Sequence, residues 1–160
     1  MQFEEVKSLI EAGFPGAVLG EDEASTPKAL LIHKDHVVNV CSLLHTYEKT
    51  YFDSLSCLTG LDNGEEKNTM EVIYNLYSIP FDLHLALKVE LDRSKPEIDS
   101  VTKIWRTADW HEREAYDLLG IQFKGHPDLR RILLPDDWEG HPLRKDYVEQ
   151  EEYHDVKVKY

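Results

Sequence analysis

"LHLALKVEL", residues 83–91, is the stretch that decides the fold. Leu83, Leu85, Leu87, Val89 and Leu91 fall on alternate positions, with His84, Ala86, Lys88 and Glu90 between them. A period of two puts the apolar set on one face of a strand and the largely polar set on the other. The same alternation appears upstream. Asp53, Leu55, Cys57 and Thr59 alternate with Ser54, Ser56 and Leu58, and Met70, Val72, Tyr74 and Leu76 alternate with Glu71, Ile73, Asn75 and Tyr77. Asp62-Asn63-Gly64, extended by Glu65–Asn68, suits a hairpin loop between the first two runs, and Pro80 and Asp82 mark the turn before the third. The prediction is an antiparallel meander with one wet face.

Towards the amino terminus, Phe3, Val6, Leu9 and Ile10 are spaced for one helix face, and Gly13 and Pro15 end that helix. Ala17–Leu19 and Ala29–Ile32 read as short strands flanking a polar loop, Glu21–Pro27. Asp35 is placed to cap a second helix whose buried face is Val37, Val40, Cys41 and Leu44. Two helices covering the dry face of the meander make residues 1–95 an α+β two-layer domain.

Arg93–Ser100, with Pro96, reads as a linker into residues 96–147. Val101, Ile104 and Trp105 are helix-spaced, and a longer helix is predicted from Ala108 to Leu119, stopped by Gly120. From Ile121 onward Pro127, Pro135 and Pro142 break the chain, yet Leu129, Ile132–Leu134, Trp138, Leu143 and Tyr147 keep appearing. An irregular segment this rich in large apolar groups must bury them against its own domain or against another protein. Residues 148–160 are a charged tail, mobile or ordered by a partner. The predicted class is therefore α+β: two helices on a small antiparallel sheet, then a helix and an extended irregular carboxyl-terminal segment.

Composition narrows the function. The chain has 160 residues, about one domain, and a net charge of -13. That charge argues against nucleic acid and against direct docking on an anionic leaflet, both of which draw on clustered lysine and arginine. No apolar run approaches the ~20 residues of a membrane span, and the acidic, amphipathic start is unlike a secretory signal. Cys41 and Cys57 each lie in an apolar segment and read as buried free thiols in a reducing compartment. They are also too few for an iron–sulfur cluster, which takes about four ligands.

Several chemistries fail on spacing. His111-Glu112 begins like a zinc-binding His-Glu-x-x-His motif, but Ala115 stands where the second histidine belongs. Glu112 and Glu114 point to nearly opposite sides of a helix and form no acid/base couple. Arg113 and Asp117, four apart, read as an opposite-charge pair worth ~0.2–0.5 kcal/mol. Gly-His-Pro occurs twice, at Gly125–Pro127 and Gly140–Pro142. His126 and His141 have no further ligands at zinc spacing, so they read as hydrogen-bonding groups in tight turns. Arg130, Arg131, Arg144 and Lys145 are a dense basic group on an acidic chain. They suit a salt-bridged interface better than a bound anion, since guanidinium forks pair well with carboxylates. Phosphate loops and nucleophile elbows are absent. No catalytic, cofactor-binding or metal residue is expected.

"EREAYDLLGIQFKGHPDLRRIL", Glu112–Leu133, closely resembles the diagnostic motif of the respiratory complex I 30-kDa subunit family, the C-type subunits of NADH–quinone oxidoreductase. Its positions are filled by Glu112, Arg113, Glu114, Asp117, His126 and Arg130. Leu133–Tyr147, Asp53–Asp62 and Ser100–Glu114 are also similar to family segments. The resemblance implies a cofactor-free scaffold in the peripheral arm of a complex that moves electrons from NADH through FMN and iron–sulfur clusters to quinone and pumps protons. It implies partners that hold those cofactors, especially the 49-kDa, D-type subunit and the B-type subunit. It implies attachment to the cytoplasmic face of the bacterial inner membrane, or the organellar equivalent, only through the complex. The alternative is the equivalent subunit of a membrane-bound hydrogenase, a F420H2 dehydrogenase or a ferredoxin–plastoquinone oxidoreductase. On either reading the expected interface is Arg130, Arg131, Trp138, His141, Arg144, Lys145 and Tyr147.

Overall fold

The computed structural model describes residues 2–158. The meander forms as β3 (Ser54–Asp62), β4 (Thr69–Ser78) and β5 (Leu83–Asp92), antiparallel throughout. Met70, Val72, Tyr74 and Leu76 of β4 and Leu85, Leu87, Val89 and Leu91 of β5 are buried on one face. The two short upstream strands extend this sheet. β1 (Val18–Asp22) pairs antiparallel with β2 (Ala29–Ile32), and β2 lies parallel to β5, giving five strands in the order β1-β2-β5-β4-β3. The α+β class holds, with a mostly antiparallel sheet.

α1 (Phe3–Gly13) and α2 (Val37–Thr46) lie on the dry face and bury the expected residues, Val6 and Ile10 from one and Val37, Val40, Cys41 and Leu44 from the other. Asp35 does not cap α2. It sits in a short 3-10 turn, Lys34–His36, where its N–H donates to His33 Nδ1. Cys57 is the second correction. The pairing of β3 with β4 shifts between Leu55 and Cys57, so the burial period breaks. Leu55 and Leu58 face the core and Cys57 is exposed, while Cys41 is buried. An extra residue at such a bulge moves every later side chain to the opposite face.

α3 (Ala108–Leu119) runs as predicted and ends at Gly120, whose φ is 80°. Val101–Trp105 forms a single turn, with the N–H groups of Ile104 and Trp105 donating to Val101 O. Ala108, Ala115 and Leu119 of α3 join the same core as α1, α2 and the sheet. α3 lies along the edge strand β3 and uses some of its free backbone groups. Leu58 N–H donates to His111 Nδ1 at 3.3 Å, and Thr107 Oγ1 donates to Leu55 O at 3.3 Å. Just before β3, Trp105 Nε1 donates to Phe52 O at 3.0 Å. Covering an edge in this way removes a template for unwanted strand pairing. Gly60 permits the approach: a Cβ there would lie 2.5 Å from Leu119 Cδ1 and 2.8 Å from Ile121 Cδ1.

β6 (Glu97–Asp99) and β7 (Gln122–Lys124) pair in parallel and bracket α3 in sequence. In the tail, β8 (Glu152–Tyr153) and β9 (Val156–Lys157) form a small hairpin. Tyr153 OH and His154 Nε2 both reach Asp137, at 2.7 and 2.8 Å.

Candidate functional site

Gly125–Tyr147 crosses the body as an irregular strap, and two carboxylates hold it. The first is Asp117, near the end of α3. Its Oδ2 accepts three consecutive backbone N–H groups, from Ile132, Leu133 and Leu134, at 3.0, 2.8 and 2.9 Å. Its Oδ1 accepts Arg131 Nη1 at 2.8 Å. Burial alone would raise this carboxyl, but the Leu134 N–H, the Arg131 guanidinium and the other two N–H groups outweigh it and hold the carboxyl below its ordinary range. Asp117 thus pairs with Arg131 and not with Arg113, as the helical spacing had suggested. Arg113 instead donates to the carbonyls of Arg130 and Arg131. The spacing rule describes an isolated helix, and three aligned N–H groups plus a guanidinium outcompete an exposed i, i+4 pair.

Arg131 is also the knot of the strap's own path. Its Nη2 donates to Trp138 O at 2.7 Å and Gly140 O at 2.9 Å, so one guanidinium ties α3 to both limbs of the loop. Its side chain is only 13% exposed.

The second carboxylate is Asp62, at the end of β3. It accepts Arg93 Nε at 2.7 Å and Nη2 at 3.0 Å, a buried two-point pair. Its remaining capacity goes to Gly64 N–H at 2.9 Å and to Lys145 N–H at 2.8 Å. The Arg93 guanidinium is the chief reason its carboxyl is held far below the usual range. Arg93 also meets Asp146 at 2.9 Å, and Arg144 pairs with the same Asp146 at 3.0 Å.

Both Gly-His-Pro corners turn through glycines of positive φ, 78° at Gly125 and 81° at Gly140. Both histidines spend a ring nitrogen on α3 carbonyls. His141 Nδ1 contacts Asp117 O at 2.9 Å, and His126 Nε2 contacts Asp109 O at 3.1 Å. Asp128 N–H donates to His126 Nδ1, which assigns the ring hydrogen to Nε2. The His141 ring lies against Gly120, where a Cβ would stand 2.8 Å from Cδ2. Trp138 Nε1 donates to Tyr147 OH at 3.2 Å, and Lys145 Nζ reaches Asn63 O at 3.4 Å. Arg130 points outward, 66% exposed, and pairs with Asp128 beside it. Among the described residues no group of three or more His, Cys, Asp and Glu is arranged to hold a metal, and no helix is long and apolar enough to cross a membrane.

Residues 30–153 match the family described as respiratory-chain NADH dehydrogenase, 30 Kd subunit. The chain belongs to that family. Two relatives of the 30-kDa subunit are instructive. The C-type subunit of the Chlorobium phaeobacteroides NADH-quinone oxidoreductase is 42% identical over 154 residues, covering 95% of this chain and 92% of the relative. That of Chloroherpeton thalassium is 54% identical over 114 residues, 71% of this chain and 47% of the relative. The matched part thus spans about half of the second relative's length. Among solved structures, a trypsin-resistant fragment of Nqo5 superposes with a TM-score of 0.62 at 26% identity, covering 81% of this chain and all of that one. A chain of the archaeal membrane-bound sulfane sulfur reductase shares the fold, with a TM-score of 0.74 at 21% identity, over 91% and 85% of the two chains.

Four of the residues that carry the sequence resemblance, Glu112, Arg113, Glu114 and Asp117, lie on α3. Glu114 is exposed, Arg113 reaches the strap and Asp117 anchors it. Glu112 is fully buried. Its Oε1 accepts Val101 N–H at 2.8 Å, while Oε2 has no hydrogen-bond partner and lies 4.0 Å from His126 Nε2. Burial raises this carboxyl to about 7, against the opposing hydrogen bonds from Ser100 and Val101. The sequence reading missed Asp62 and Arg93 as functional partners. Their positions read as a turn and a linker, and only the folded sheet brings the ends of β3 and β5 together.

Proposed function

We propose that this chain is the cofactor-free structural 30-kDa subunit of the peripheral arm of a proton-translocating NADH–quinone oxidoreductase, and that the strap is its docking segment. The observation that carries the reading is the strap's construction. Two buried carboxylates fix its backbone while Leu133 and Leu143 stay exposed, at 63% and 59%. Large apolar groups held outward on an anchored backbone are ready for a partner, since little ordering is left to be done on binding. Arg130, Trp138, His141, Arg144, Lys145 and Tyr147 lie along the same strap, with Arg131 setting its shape from within.

The partners proposed for this surface are the 49-kDa and B-type subunits, with FMN and the iron–sulfur clusters held by other chains. Attachment to the cytoplasmic face of the membrane then comes through the complex. Curated relatives named for NADH-quinone oxidoreductase favour this over a hydrogenase-type machine, since the likeness to the sulfane sulfur reductase rests on fold alone. The test is to purify the chain alone and with its genomic neighbours. Alone it should show no NADH–quinone turnover, and together it should co-migrate on native gels with the 49-kDa subunit. Turnover by the isolated chain, or a complex that forms without it, contradicts the proposal.

A further inference from the structure

Beyond the strap's latches lies an open recess of about 300 Å³, lined by Thr102, Lys103, Arg106, Asp109, Gly125 and Pro127. We infer that this recess receives an acidic segment of a neighbouring subunit, whose carboxylates meet Lys103 and Arg106. The inference rests on membership in an assembled complex and adds a contact separate from the strap's outer face.

Three observations carry it. First, Lys103 and Arg106 are both exposed, and neither makes an ion pair or a side-chain hydrogen bond among the described residues. The other five arginines are each engaged: Arg93 with Asp62, Arg113 with two carbonyls, Arg130 with Asp128, Arg131 with Asp117 and Arg144 with Asp146. Lys34, Lys49 and Lys67 are likewise without an ion pair among the described residues, so the distinguishing group is Arg106, the one arginine left unengaged there on a chain of net charge -13, with Lys103 lining the same recess. Second, the acid that lines the recess pairs with neither cation: Asp109 makes no ion pair with Lys103 or Arg106, and its Oδ1 lies 3.8 Å from His126 Nε2. Third, the walls are held from below. Val101 and Trp105 are buried, and their turn carries Thr102, Lys103 and Arg106. The His126 side chain, fully buried, fixes the Gly125–Pro127 corner.

Trp110 adds an apolar contact. It follows Asp109 on α3 and is 70% exposed. Tryptophan and arginine are both enriched in interface cores. A guanidinium and an ammonium over a rigid recess select carboxylates, and the bidentate fork favours an Asp or Glu side chain. Two cations are too few to hold nucleic acid or an anionic membrane against the repulsion of the whole chain.

The test uses the assembled complex. Carbodiimide activates carboxyl groups and couples them to amines in contact, so the expected product is an amide between Lys103 Nζ and an Asp or Glu of another subunit, identified by mass spectrometry. The double variant Lys103→Glu/Arg106→Glu should lower recovery of the complex at least tenfold. Its melting temperature as an isolated chain should not change, because neither side chain has a partner among the described residues. Normal assembly of the double variant, with Lys103 uncoupled in an intact wild-type complex, overturns the inference. So does flotation of the isolated chain with phosphatidylglycerol vesicles that is lost in the double variant, since that assigns the recess to lipid. Failure of the wild-type chain to enter any complex refutes the assembly reading itself, and the recess assignment with it.

Discussion

The backbone N–H of Lys145 donates to the carboxylate of Asp62 at 2.8 Å, across 83 residues of chain. The acceptor is already committed to Arg93, so the strap closes onto a buried ion pair. Asp62→Ala removes one partner of that pair and leaves Arg93 with Asp146 alone. The expected loss is about 3–5 kcal/mol, the range for breaking a buried pair from one side. Urea denaturation measures it, and limited proteolysis should show faster cleavage near Lys145. An unchanged midpoint would remove Asp62 from its role as anchor.

Acid should release the strap before it unfolds the sheet. The Asp117 and Asp62 carboxyls are both held below their unfolded values in the folded chain. Their contribution is complete above an unfolded value of about 3.9 and is lost as pH falls through the folded values. Between about pH 4 and pH 2, amide exchange at Ile132, Leu133 and Leu134 should accelerate while that of β4 and β5 stays slow. Simultaneous loss of both would contradict separate anchoring.

Glu112 works in the opposite direction. Its carboxyl rises from 4.5 to about 7 on folding. A raised carboxyl stabilises most below its unfolded value and loses that contribution as pH rises through the folded one. At about 1.36 kcal/mol per pH unit, ionising it in place costs about 3 kcal/mol. The groups around it are Asp109 and His126, with Cys41 and Tyr74 on the core side. Stability should therefore fall between about pH 4.5 and pH 7, and Glu112→Gln should flatten that slope. A wild-type stability curve already flat across this range is the contrary result.

Gly120→Ala tests the join between α3 and the strap. The residue has φ of 80°, and a Cβ would stand 2.8 Å from the His141 ring. Alanine is strained at positive φ, so at least about 1 kcal/mol should be lost, with the His141 ring displaced from Asp117 O. The NMR shift of the His141 ring reports that displacement directly.

Two adjacent arginines should separate assembly from folding. Arg130→Glu alters an exposed side chain and should leave the melting temperature of the isolated chain within about a degree, yet reduce assembly with the 49-kDa subunit on native gels. Arg131→Glu sets a carboxylate against Asp117 and strands Trp138 O and Gly140 O, so it should destabilise the isolated chain by about 3 kcal/mol or more. Equal effects of the two on stability would refute the division of roles.

The elements with an unbroken period were legible in the sequence. β4, β5, α2 and α3 follow from alternation or helical spacing, because burial of one face dictates those patterns. The slip at Ser56 was not, since a bulge leaves no mark on composition, and Cys57 was misassigned with it. Asp35 was misread because it stands where a cap would, while the backbone there makes a 3-10 turn. The strap was legible as irregular chain rich in large apolar groups, and the resemblance to the 30-kDa family drew attention to Asp117, His126 and Arg130. Its anchoring was not legible. Asp117 spends its carboxylate on N–H groups up to 17 residues away, and Asp62 on one 83 residues away. No local rule predicts contacts at that range.

The two anchoring carboxylates bear on the order of events during synthesis. Asp62 is presented by the finished hairpin of β3 and β4, and Asp117 by the last turn of α3. The strap emerges from the ribosome after both and has nothing to grip until both are in place. A chain with an incomplete sheet or a frayed α3 therefore lacks the acceptors that order the strap, and the last part of the fold to emerge is conditional on the parts made before it.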